Sequence, residues 1–259
     1  MATSFPFTSA LVTGASSGIG EAMAELLGAA GIPTVVVARR SDRLQQLADR
    51  FPCIEVLAAD LGTAKGLSKV VARVEDEALP IDLVVNNAGF GTSGEFHELD
   101  ADRLGAEVQL NVAALTRLSR AALGAMVPRG RGYLLNVSSV VSFQPAPKLA
   151  VYAATKAYVT SLSESLHEEV RGTGVHVTAL CPGLTRTEFQ SVSSTESYAK
   201  DYPSFAWLES TEVAQAGLDD VAKGKALSIP GAMYKSMVAG VSIMPRGLTR
   251  RLSSLVQRG

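Results

Sequence analysis

The stretch SALVTGASSGIG, residues 9–20, decides the fold. An apolar run ending at Thr13 passes directly into Gly14, Gly18 and Gly20, and then into 21–30, where apolar residues recur at helical spacing. A strand, a glycine-rich turn and a helix in this order place backbone N–H groups at a helix N-terminus, where an anion is favoured. Glycines let the turn close tightly and let the backbone approach a pyrophosphate. The spacing is G-x-x-x-G-x-G rather than G-x-G-x-x-G. The flanking strand and helix are therefore what separate a dinucleotide site from a bare glycine corner.

Working outward, the same alternation repeats. TVVVAR (34–39), IEVLAAD (54–60), IDLVVNNAG (81–89), GYLLNVSS (132–139), VHVTALCPG (175–183) and ALSIPG (226–231) are apolar runs without polar alternation, as in strands covered on both faces. Helical spacing occupies 42–50, 65–78, 102–126 and 152–171 between them. The pattern predicts an α/β fold with a doubly wound parallel sheet of about seven strands and helices on both faces. No internal repeat or linker divides 1–259, so the chain reads as a single domain. Residues 187–212 break the pattern, with Phe189, Tyr198, Tyr202, Phe205 and Trp207 set among serines. They read as a helix and loop segment covering the carboxyl ends of the strands, where such sheets bind ligands.

Composition narrows the function. The 259 residues are 47% hydrophobic and carry 24 basic against 25 acidic side chains, which gives no reason to expect nucleic acid as a partner. Cys53 and Cys181 are too few for a disulfide framework, and three scattered histidines lack metal-ligand spacing, so no metal is expected. A reducing, cytoplasmic location is the expectation, because MATSFPF leads straight into the first strand without the parts of a secretory signal. No uncharged apolar window is long enough to span a membrane. After Asp220 the chain has no acid but carries Lys223, Lys225, Lys235, Arg246, Arg250, Arg251 and Arg258. A solvated terminal helix is the preferred reading, with a peripheral membrane or anionic acyl-carrier contact as the alternative.

The second strand ends in Arg39 and Arg40, where an adenosine ribose would lie, and no acid ends it to hold a free ribose diol. This favours a 2′-phosphate, hence NADP(H) over NAD(H), with Arg39 as the leading contact and Ser16, Ser17 and Arg40 in support. The alternative is a merely solvated, charged helix start. Asp60 ends the third strand and either accepts from an adenine amino group or caps the following helix.

Ser139, Tyr152 and Lys156 carry the chemistry. Tyr152 and Lys156 are four residues apart on one helix and face the same way, so an ammonium can sit beside a phenol. A phenol titrates near about pH 10, and a neighbouring cation favours its ionised form. Ser139 and Tyr152 can place two donors on one carbonyl oxygen. Singly, each has a bland role as cap, packing residue or snorkelling cation. Together, beside a phosphate-binding turn, they read as an active site. A serine hydrolase is disfavoured because no G-x-S-x-G elbow is present. An epimerase or dehydratase would need a larger substrate domain than remains after residue 190.

Taken in order, TGASSGIG (13–20), Asp60, NNAG (86–89), Asn111, Ser139, YAATK (152–156) and PGLTRT (182–187) resemble the classical short-chain dehydrogenase/reductase family, a Rossmann-type fold. The resemblance implies that Tyr152 is the acid or base, that Ser139 holds the substrate oxygen, and that Lys156 binds the nicotinamide ribose and lowers the Tyr152 pKa. It gives Asn111 a water in a proton relay. The cofactor contacts it implies are Gly14, Ser16, Ser17, Gly18, Ile19 and Gly20, then Asp60 and Leu61, then Asn87, Ala88 and Gly89, and finally Pro182, Gly183, Thr185 and Thr187. It also implies a homodimer or homotetramer. The expected activity is NADP-dependent hydride transfer between nicotinamide and a ketone or secondary alcohol. The alternatives are an NAD-linked alcohol dehydrogenase and a dinucleotide-binding regulator or scaffold without turnover. The aromatics 189–207, with Phe90, Phe96 and Phe143, predict an apolar pocket for a lipid-like, steroid-like or acyl ketone.

Overall fold

The computed structural model describes residues 5–193 and 203–256, with 252–256 by backbone alone. Seven strands form one parallel sheet: β1 (Ala10–Thr13), β2 (Thr34–Ala38), β3 (Ile54–Ala58), β4 (Leu83–Asn86), β5 (Gly132–Val137), β6 (Val175–Leu180) and, at the edge, β9 (Leu227–Ser228). Their order is β3-β2-β1-β4-β5-β6-β9, so strand order reverses between β1 and β4 and a crevice opens there at the carboxyl ends. All seven expected strands are present. A separate two-stranded parallel ladder joins β7 (Thr185–Arg186) to β8 (Leu208–Glu209).

The helices are α1 (Gly18–Ala29), α2 (Ser41–Arg50), α3 (Ala64–Val74), α4 (Ala101–Val108), α5 (Leu115–Arg129), α6 (Ala150–Glu169), α7 (Phe189–Val192), α8 (Ser210–Ala222), α9 (Ala232–Ile243) and α10 (Arg246–Val256). Apolar residues of α1, α2 and α8 close one core layer with β1, β2 and β4. Those of α3 and α5 close the second layer on the opposite face. Both faces of the sheet are thereby dry, which is why the strands carry no polar alternation. Among the described residues, no helix is long and apolar enough to cross a membrane.

Two expected helices differ in detail. The third stops at Val74 rather than running to residue 78, because the Asp76 carboxylate accepts the Ala78 N–H at 3.0 Å and turns the chain. The stretch 102–126 is not a uniform α-helix: a π-helical turn, Gln109–Ala114, separates α4 from α5. Side-chain periodicity barely registers such a local change of winding.

A buried polar seam fixes the layer beneath the crevice. Asn86 Nδ2 donates to Asn136 Oδ1 (2.9 Å) and to Ser119 Oγ (3.1 Å), and Asn136 Nδ2 donates to Ser163 Oγ (3.0 Å). The seam ties β4 and β5 to α5 and α6, so removing its centre strands several buried groups at once. Asn136→Ala is expected to lose about 2–3 kcal/mol of unfolding free energy in urea titrations with an unchanged m-value.

Candidate active site

The glycine turn is built by contact with its neighbours. Gly14 and Gly18 adopt left-handed φ of 68° and 61°, and a Cβ on Gly14 would lie 2.7 Å from Asn87 Nδ2, so only glycine fits. Asn87 Nδ2 donates to the Thr13 carbonyl at 2.9 Å, while Thr13 Oγ1 accepts from the N–H groups of Asn87 (3.0 Å) and Ala88 (3.1 Å). These bonds bolt the end of β1 to the loop after β4 and set the floor of the crevice. Ser17 stands at the N-cap of α1 in extended conformation without a side-chain cap bond, so the helix end faces the crevice. Ile19 packs against the core.

At the basic end the arginines take different places. Arg39 is exposed and, among the described residues, makes no hydrogen bond or ion pair. Arg40 instead lies along the turn, donating from Nε and Nη2 to Ser16 Oγ at 3.2 and 3.1 Å. Its Nη1 donates to Glu188 Oε2 at 2.8 Å, and Arg43 Nη1 donates to Glu188 Oε1 at 2.7 Å. The two guanidiniums hold the Glu188 carboxyl below the ordinary carboxylate range. Arg43 was not singled out in the sequence, although it sits four residues after Arg39 on the first turn of α2.

Asp60 shapes the turn ahead of α3, its Oδ1 accepting the Gly62 N–H at 2.9 Å and its carbonyl the Thr63 N–H at 3.1 Å, while the cap of α3 is Thr63, whose Oγ1 accepts the Gly66 N–H at 3.1 Å. The Leu61 side chain is buried in the core. Gly89 approaches Asn111 so closely that a Cβ would lie 2.8 Å from its Oδ1. At the far side, Pro182 accepts the Val140 N–H at 3.0 Å, Gly183 packs under the Tyr234 ring, and Thr185 Oγ1 donates to the Gly183 carbonyl at 3.0 Å. Thr187 lies against Gly18, where a Cβ would meet it at 2.9 Å, and its Oγ1 accepts the Phe189 N–H at 3.1 Å.

Ser139, Tyr152, Lys156 and Asn111 converge at the carboxyl end of β5. Lys156 is 6% exposed; its Nζ donates to the Val137 carbonyl at 2.8 Å and stands 5.6 Å from the Tyr152 ring centre. Burial pulls its ammonium down to about 8. Burial also pushes the Tyr152 phenol upward, with Ser139 opposing the shift and Glu107 adding to it. The site thus presents a protonated phenol, a donor. Asn111, at the π-helical turn, donates from Nδ2 to the Phe90 carbonyl (2.8 Å) and Thr155 Oγ1 (3.2 Å) and accepts the Phe90 N–H at Oδ1 (3.2 Å). Its side chain is committed to joining the 89–91 loop to α6.

The cover segment delivers one aromatic to this centre: the Phe189 ring lies 5.2 Å from that of Tyr152. Phe205 and Phe96 are 76% and 63% exposed, Phe90 lies under Arg103, and Trp207 lies under Arg186. Tyr198 and Tyr202 fall outside the described residues.

The family model for the short chain dehydrogenase matches residues 8–197, and the chain belongs to that family. An uncharacterized oxidoreductase of Staphylococcus epidermidis is 34% identical over 179 residues, covering 69% of this chain and 78% of its own. A short-chain dehydrogenase from Sphingobium yanoikuyae, solved in complex with NADPH, is similar at TM-score 0.83 and 33% identity over 95% of this chain and 94% of its own. A bulky-bulky ketone specific alcohol dehydrogenase from Comamonas testosteroni gives TM-score 0.76 and 32% identity over 92% and 95%. The chain is an NAD(P)-dependent dehydrogenase/reductase acting on carbonyl or alcohol substrates.

Glu107 was not singled out in the sequence. It lies on α4 at 0% exposure, and neither carboxylate oxygen has a hydrogen-bond partner; the Thr92 hydroxyl is likewise buried and unpaired. Burial raises the Glu107 pKa, with the charges of Arg103 and Lys156 opposing. The folded chain therefore holds this proton to higher pH than the unfolded chain does, and stability falls as pH rises from the ordinary carboxylate range through the raised value. Glu107→Gln is expected to melt higher than the parent near neutrality. The difference should vanish below about pH 4; a constant difference across melting curves would contradict this.

Proposed function

We propose that this member of the short-chain dehydrogenase family reduces apolar ketones with NADPH, Tyr152 delivering the proton. The observation that carries this reading is the placement of Tyr152 beside the buried Lys156 ammonium, 5.6 Å from its ring centre, with Ser139 close to the phenol. Hydride comes from the nicotinamide when it is bound. Ser139 and Tyr152 orient the carbonyl oxygen and donate to it as negative charge develops, and Tyr152 then transfers its proton to that oxygen. Lys156, seated on the Val137 carbonyl, holds positive charge next to the phenol as the proton leaves. Asn111 keeps the 89–91 loop and α6 in register.

The residues present suit a dinucleotide. The open N-terminus of α1 suits a pyrophosphate. The Glu188 carboxylate resting on Arg40 and Arg43 beside Ser16 stands in for a second anion where a 2′-phosphate would lie. This supports NADP(H) and moves the leading contact from Arg39 to Arg40 and Arg43. The NADPH complex of the Sphingobium relative supports the cofactor, and the bulky ketone named for the Comamonas relative supports the substrate class. Phe189 beside Tyr152 supports an apolar substrate face.

Tyr152→Phe is expected to lower kcat by about 100-fold or more on a panel of bulky ketones while NADPH binding, read by fluorescence titration, is retained. Unchanged turnover would remove Tyr152 from the reaction. Reduction rates in the parent should fall as pH rises through about 8, where Lys156 loses its proton. In parallel titrations, Arg40→Ala should weaken NADPH but not NADH, whereas Arg39→Ala should have the smaller effect; the reverse ranking restores Arg39 as the contact.

A further inference from the structure

Glu188 is the point where two distant segments meet. It follows Thr187 and β7, yet its carboxylate is shared between Arg40 and Arg43, residues 148 and 145 positions away in sequence. Both arginines also donate to the Ser16 carbonyl, at 3.2 and 3.4 Å, so two guanidiniums tie Glu188 to the glycine turn. The next residue, Phe189, lies on the Tyr152 ring. Glu188 also borders a cavity of about 340 Å³ with Ser17, Gly18, Glu21 and Ser210. Burial first, and then the charges of Glu25 and Glu188, raise the Glu21 pKa, so a carboxylate is disfavoured on that side.

We propose that Glu188 is an internal competitor for the 2′-phosphate of the cofactor: its carboxylate occupies the anion site of Arg40, Arg43 and Ser16 until a phosphate displaces it, freeing the segment that seats Phe189 on Tyr152. The proposal rests on the NADP reading above. A phosphate near neutrality carries more charge and more acceptor oxygens than a carboxylate, so it wins the same guanidiniums. A diphosphonucleoside without a 2′-phosphate leaves the Glu188 contact intact. Discrimination between the two cofactors is then set partly by a residue that touches neither ribose nor base.

The test is calorimetric titration of the full chain with adenosine 2′,5′-bisphosphate and, separately, 5′-AMP. Glu188→Gln preserves shape and removes the charge. Because the pair is part-exposed, the variant should bind the bisphosphate about three- to tenfold more tightly, with 5′-AMP unchanged. Arg43→Ala in that background should remove the gain. Trp207, the single tryptophan, directly precedes β8 and lies under Arg186, two residues before Glu188, so it reports this segment. Its emission should shift with bisphosphate in the parent and less in Glu188→Gln. Weaker or equal bisphosphate binding in Glu188→Gln overturns the competitor role and makes Glu188 a support for the arginines. If neither protein distinguishes the two nucleotides, the NADP reading itself fails, and the proposal with it.

Discussion

One hydrogen bond organises the crevice: the buried Lys156 ammonium donating to the carbonyl of Val137. A charge taken out of water must find a partner, and this one finds it at the last residue of β5, which fixes α6 against the end of the strand. Ser138 reinforces the seat by donating from Oγ to the Lys156 carbonyl at 2.8 Å and by sharing a hydrogen bond with Thr160 Oγ1 at 2.7 Å. Tyr152 sits one turn earlier on the same helix, so its phenol inherits that placement. Ser139 follows two residues after Val137 and arrives from the strand side. Ser139, Tyr152 and Lys156 are thus positioned by one strand end and one helix.

The cofactor half of the crevice obeys a different constraint, the close approach of backbone to backbone. Gly14, Gly20 and Asn87 leave no room for side-chain atoms between β1 and the loop after β4. Asn111 adds a cross-link from the π-helical turn to Phe90 and Thr155, which couples this half to α6. A π-turn rotates the following residues relative to a plain α-helix, and such turns gather at functional sites. Here it lets one asparagine reach a loop and a helix together.

How much of this was legible in sequence depends on range. Strands buried on both faces announce themselves as unbroken Val, Leu and Ile runs, so all seven parallel strands were readable from β1 to β9. The glycine turn and the Tyr152–Lys156 pair are short-range patterns and were equally plain. What escaped depends on contacts made across the fold. Whether Arg39, Arg40 or Arg43 faces Ser16 is decided by how α2 starts, and Glu188 reaches them from 145 residues away. How deeply Tyr152 and Lys156 are buried is likewise not encoded in their four-residue spacing. Glu107 carries no signal at all, because a glutamate on an otherwise mixed helix reads as a surface residue until its neighbours close over it. Phe96 and Phe205, aromatic and therefore expected in a pocket, lie open to solvent instead.

The ladder of β7 and β8 is only two residue pairs long, but it clamps both ends of the cover segment. The Leu208 N–H donates to the Leu184 carbonyl at 2.9 Å, and Tyr234 spans the same gap, accepting the Leu184 N–H at 3.0 Å and donating to the Ala206 carbonyl at 2.6 Å. A loop closed by such a pair pays only about 0.6 kcal/mol for each doubling of its length, so the clamp makes the sheet, the glycine turn and α6 insensitive to how much chain it encloses. Glu188 and Phe189, just inside the clamp, are held separately by Arg40, Arg43 and Tyr152.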